Sequence, residues 1–272
     1  MADHEKSHPY HLVNPSPWPI MGAISLLTTA IGAILFLHKY MLGKFLLPLG
    51  FLMIFYVMFA WWRDVVKEAA IDKAHNNVVK NGLRIGMALF ILSEVMFFFG
   101  FFFSFFHSVI ATPGILEGVW VVKEGVWPPA DIKTFDPWHL PLFNTLILLL
   151  SGTTVTWAHY SLLENNRKDF IQGLGITVLL GMFFTLCQAF EYMHAPFTFN
   201  GGNYPSNFFM ATGFHGAHVI IGTIFLAVCW FRARKGQMDS ENHLGFEFAA
   251  WYWHFVDVVW LFLFVFVYVW GR

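Results

Sequence analysis

Glu94 is the only charged residue in the stretch ILSEVMFFFGFFFSFFH at 91–107. Taking an ionised carboxylate out of water costs several kcal/mol at least, so this Glu is protonated, paired on a neighbouring helix, or open to a hydrated cavity. Other groups of the same kind follow. His215 and His218 are three residues apart and share a helical face, and His254 precedes Asp257 by one turn. Buried imidazoles and carboxylates can exchange protons, contact lipid, or satisfy one another and pin helices together. Metal chemistry also enters: Glu191-x-x-His194 has the spacing used by di-iron bundles, and His215-x-x-His218 could ligate a haem or metal. At the ends of apolar stretches stand His107, His159 and a Glu164–Arg167 pair expected to be partly hydrated. His4, His8 and His11 lie in a polar arm where imidazoles titrate near neutral pH, a candidate proton-exchanging surface or simply a solvated arm.

The elements that hold these groups follow from composition. With 57% hydrophobic residues, 12% charged and 33 Phe in 272 residues, the chain has too little polar surface to cover a soluble globule, and reads as an all-α integral membrane protein. The first twenty residues carry His and Pro rather than a basic start and an apolar core, so they do not read as a removable signal peptide. A net charge of -1 without basic clusters argues against nucleic acid, and Cys187 and Cys229, in different apolar segments, read as core residues rather than a disulfide.

A hydrocarbon core of roughly 30 Å needs about 20 apolar helical residues. That ruler finds seven spans, at 17–37, 45–62, 84–107, 140–163, 171–194, 207–231 and 248–270. With the N-terminal arm inside, eleven Lys and Arg residues fall on the inner side against five outside, which orients the chain. The expected organisation is an inner arm at 1–16, a two-helix bundle at 17–62, a charged inner linker at 63–83 and a five-helix bundle at 84–272. Counted by depth, Glu94, His215, His218 and Asp257 fall near mid-membrane, with His254 one turn below Asp257, while Glu191 lies near the outer end of its span. No second Glu-x-x-His helix exists to complete a di-iron cage, so no metal site is expected.

Several strings carry a closer resemblance: SEVMFFFGFFFSFFHS, GVWPP, FDPWHLPLFNTLILLLSG, TWAH, ATGFHGAHVIIGTIFL and GFEFAAWYWHFVDVVWLFLFVFVYVWGR, after an early VNPSPWPI and MFAWWRDV. In this order they resemble subunit III of the aa3-type cytochrome c oxidases from about Pro9 to Arg272. The resemblance implies a non-redox subunit of an oxygen-reducing, proton-translocating respiratory enzyme. Haem a, haem a3 and copper would belong to partner subunits I and II, and this chain would bind none. It implies two helices and five arranged in a V around a phospholipid cleft, with support of proton uptake and protection of subunit I during turnover. It identifies Glu94 as a carboxylate attacked by hydrophobic carbodiimides, hence protonated and lipid-accessible, and Trp62, Arg63, His107, Arg232 and Lys235 as lipid contacts. The family's Trp near His107 is Phe103 here, and a His near Lys235 is Gln237. The acidic, His-bearing arm favours a bacterial plasma membrane over a mitochondrial inner membrane. Two other readings stay open at this level: a transporter using Glu94, His218 and Asp257 as a proton relay, and a stand-alone haem or di-iron oxidoreductase.

Overall fold

The computed structural model describes residues 15–70, 75–110, 127–129 and 132–272. The candidate surface of His4, His8 and His11, with most of the arm at 1–16, lies outside them. The described chain is helical and contains no strand. Its helices are α1 (Trp18–Leu37), α2 (Gly43–Ala70), α3 (Asn77–Ile110), α4 (Leu140–Leu163), α5 (Arg167–Met193), α6 (Asn203–Arg234) and α7 (Leu244–Phe262), the last continuing as a π-helical segment at Leu263–Trp270. Seven helices among the described residues are long and apolar enough to cross a membrane. In hydrocarbon no water can satisfy the peptide groups, so each crossing segment must bond its own backbone.

Helix ends differ from the hydropathy ruler. The expected inner linker at 63–83 is helical on both sides, α2 running on to Ala70 and α3 starting at Asn77, with 71–74 outside the described residues. Apolar length measures the membrane, whereas helix length follows backbone propensity, and Arg63, Lys67 and Glu68 are good helix formers that carry α2 beyond its apolar stretch. Pro205 sits in the first turn of α6 rather than before it, where its missing N–H has no helical partner in any case.

The chain divides into two compact units, Met1–Arg84 and Ile85–Arg272. In the first, α1 and α2 form a hairpin whose helices meet closely: a Cβ on Gly32 would lie 2.5 Å from the Leu47 amide nitrogen. The Trp18 indole donates to Asp64 Oδ2 at 2.7 Å, closing the open end of the hairpin.

In the second unit α4, α5, α6 and α7 pack together around Trp253 and Trp260, both fully buried. Each indole N–H has a partner across α4: Trp253 donates to Ser151 Oγ and Trp260 to Thr145 Oγ1, both at 2.9 Å. Lipid tails are as apolar as the core, so helix association here rests on close packing and such hydrogen bonds rather than on water exclusion. Gly181 shows the packing: a Cβ there would lie 2.6 Å from Thr223 Oγ1 and 2.7 Å from the Trp253 ring. The α4–α5 connection is three residues long, with Asn165 at φ 59° and Asn166 capping α5 by accepting the Asp169 N–H.

Candidate functional site

Glu94 projects from α3, and its Oε2 lies 2.7 Å from Nε2 of His218 on α6, the side chains keeping 23% and 11% exposure. The other ring nitrogen of His218, Nδ1, is 2.7 Å from the Phe214 carbonyl oxygen. A carbonyl only accepts, so Nδ1 carries a hydrogen, and the 2.7 Å contact between Nε2 and Oε2 needs one proton between two otherwise accepting atoms. Whether that proton resides on the carboxyl or on the imidazole, the pair as a whole is neutral. Aromatic rings enclose it: Phe98 meets the imidazole edge-on at 4.9 Å and Tyr252 stacks at 6.3 Å. A neutral, hydrogen-bonded pair is the form in which a carboxylate tolerates such surroundings.

His215 turns elsewhere. Its Nε2 donates to the Val256 carbonyl of α7 at 3.1 Å, its ring packs at 5.1 Å on Trp260, and its Nδ1 is buried without a partner. His254 and Asp257 form a second pair, Nδ1 to Oδ2 at 3.6 Å, with His254 Nε2 3.3 Å from Thr156 Oγ1 on α4. Asp257 fits because residue 152 is Gly: a Cβ there would collide with Asp257 Oδ2. The mid-membrane groups are thus resolved into Glu94–His218 and His254–Asp257, with His215 apart, and no hydrogen bond joins the two pairs among the described residues.

The di-iron spacing separates as well. Glu191 is 2% exposed and accepts the Tyr268 hydroxyl at 2.6 Å, whereas the His194 imidazole faces the Phe190 carbonyl at 2.9 Å in an exposed position. Arg167 does not pair with Glu164; its guanidinium donates to the Ala233 and Arg234 carbonyls at 3.2 and 3.0 Å and closes the end of α6. These carbonyls lie at the end of α6, where that of Ala233 also accepts the Gly236 N–H at 3.0 Å, so a cation there gains both hydrogen bonds and the helix dipole.

Of the residues implicated in lipid contact, Trp62 is 63% exposed and Arg63 pairs with Asp64 at 3.1 Å. His107 stands in the last turn of α3 beside the Phe103 ring, and Arg232 and Lys235 end α6, where Arg234 lies 4.9 Å over the Trp230 ring. Two functional-looking features escape sequence reasoning: the Glu191–Tyr268 bond, 77 residues apart in the chain, and Ser104 bonded to Asn207 at 2.8 Å across α3 and α6. Only a depth match between spans hints at either.

Residues 8–272 match the model of the cytochrome c oxidase subunit III family. The chain is 61% identical over 268 residues to a Rickettsia bellii protein named "probable cytochrome c oxidase subunit 3", covering 98% of this chain and 97% of that one. It is 54% identical to cytochrome c oxidase subunit 3 of Prototheca wickerhamii, covering 98% and 99%, and 54% identical to that of Triticum aestivum, covering 97% of each.

Proposed function

The chain belongs to the cytochrome c oxidase subunit III family, and on that premise we propose that it serves its oxidase as a non-redox subunit that retains phospholipid, supports proton uptake and stabilises the oxygen-reducing subunit I. Haem a, haem a3 and copper then belong to subunits I and II. The observation that carries this reading is the Glu94–His218 pair: the one charged residue of 91–107 is held as half of a neutral couple, able to face apolar lipid without acting as a redox ligand. The histidines of the His215-x-x-His218 motif support it too, since His218 spends both nitrogens on Glu94 and Phe214 and His215 spends Nε2 on Val256.

The phospholipid contacts are Trp62 and Arg63 in the first unit and His107, Arg232 and Lys235 in the second, cations meeting phosphate and the indole lying at the interface. Glu94 is the buried proton-accepting carboxyl open to hydrophobic carbodiimides. The arm bearing His4, His8 and His11 feeds the proton-uptake surface. The membrane is a bacterial plasma membrane, with the mitochondrial inner membrane as the alternative; relatives from Rickettsia and from wheat stand on the two sides of that choice. The test is the oxidase purified with and without this chain. The proposal expects the depleted enzyme to lose phospholipid, to take up protons more slowly at high pH and to inactivate after fewer turnovers; an unchanged lipid content and lifetime would overturn it.

A further inference from the structure

A groove of about 290 Å³ runs between α4 and α7, lined by Thr156, His159, Tyr160, Ala250, Trp251 and His254. Polar groups on its wall, with His243 and Asp257 beside it, lie in series. His243, at the start of α7, has its ring 5.6 Å from that of His159, and its Nδ1 is 3.1 Å from the Asp239 carbonyl in the α6–α7 loop. His159 is half-buried and within electrostatic reach of His243, Glu247 and His254. His254 touches Thr156 Oγ1 through Nε2 at 3.3 Å and approaches Asp257 Oδ2 through Nδ1 at 3.6 Å. At the end of the series Asp257 Oδ1 is buried and unpartnered. An orphaned carboxylate oxygen calls for a donor, and a groove of this size, with Thr156, His159, Tyr160 and His254 on its otherwise apolar wall, has room for water to supply one.

We infer that this groove is a hydrated proton-transfer path that joins the α6–α7 loop to Asp257. Imidazole suits the task because it takes a proton at one nitrogen while releasing another. A proton delivered through His159 and water forms the Nε2–H bond of His254, the Nδ1–H bond breaks, and that proton forms the O–H bond of Asp257. The ring ends neutral with its hydrogen moved from Nδ1 to Nε2, and no electron is transferred. A small ring rotation closes the 3.6 Å gap. Gly152 keeps the Asp257 carboxyl accessible by leaving out the side chain that would displace it. The titratable groups acting on the path are His243, Glu247 and His254 around His159, and His254 beside Asp257. The path is distinct from Glu94–His218, which lies at α3 and α6.

The test is infrared spectroscopy of the purified oxidase containing this chain, following hydrogen–deuterium exchange of the Asp257 carboxyl, its band assigned by Asp257→Asn. The wild-type band exchanges quickly, and the His159→Gln/His254→Gln double variant, polar but unable to shuttle protons, slows it by at least about tenfold. Backbone amide exchange in the same spectra serves as the reference for packing and stays unchanged. Equal carboxyl exchange in the double variant and the wild type overturns the inference, as does a wild-type band that fails to exchange. Slowing that appears only with altered amide exchange also counts against it, because that is loosened packing.

Discussion

Replacing Glu94 separates a shared-proton pair from a lone buried charge. In Glu94→Gln the amide N–H takes the place of the shared proton and donates to His218 Nε2, because Nδ1 remains committed to the Phe214 carbonyl. The bond count is preserved and the variant should cost less than about 1 kcal/mol. Glu94→Leu leaves a nearly buried imidazole nitrogen unpaired, and His218→Leu leaves the carboxyl unpaired; each should cost about 1 to 3 kcal/mol. Because Glu94 keeps 23% exposure, the lower half of that range applies to His218→Leu. Removing both partners restores an apolar contact, so the double variant should be more stable than the sum of the singles by about 1 to 2 kcal/mol. Thermal release of the subunit from the purified oxidase, monitored for all four proteins in one detergent, measures the cycle. Glu94→Gln should also assemble and keep turning over oxygen. The reasoning is refuted if the singles add to within about 0.5 kcal/mol, or if Gln is as damaging as Leu.

Three further outcomes are expected. Gly152→Ala should lower stability by about 1 to 3 kcal/mol through collision with Asp257, and Asp257→Ala should recover part of the loss, as read from melting of the single and double variants. Tyr268→Phe removes the donor to buried Glu191, whose second oxygen already lacks a partner, and should cost about 1 to 3 kcal/mol, with Glu191→Gln milder, by the same assay. In the α6–α7 loop, partial desolvation raises the Asp239 carboxyl, but the Asn242 and Glu241 N–H groups and the Asn242 side chain outweigh it and hold the group below its ordinary value. Its contribution is therefore present above the ordinary Asp range and lost as pH falls through the lowered value, so the protection of the Glu241 and Asn242 amides relative to their intrinsic exchange rates should fall in acid, and Asp239→Asn should abolish that dependence.

The spans were legible because hydrocarbon thickness imposes a length on apolar sequence, and the seven crossings follow from that alone. Their ends were not, since α2 and α3 continue through charged residues that favour helix as much as apolar ones do. The depth count put Glu94, His218 and Asp257 at one level, yet level does not fix direction. Residues three apart on a helix still differ by about 60° around its axis, enough to send His215 to α7 and His218 to α3. Glu191 drew attention for its spacing to His194, but its partner is Tyr268, on another helix and 77 residues away, which no local pattern marks. Gly152 was silent in sequence for the same reason: its role is the space it leaves for a side chain of α7.

The central claim is that this chain is an oxidase subunit without redox groups of its own, and the direct measurement is an absorption spectrum taken twice. The first is of the complex captured through a tag on this chain, and the second is of the chain after it has been stripped from its partners. The expected result is haem absorbance in the captured complex that stays entirely with the partners. Haem retained by the stripped chain, or a captured chain with no haem-bearing partner, would contradict it.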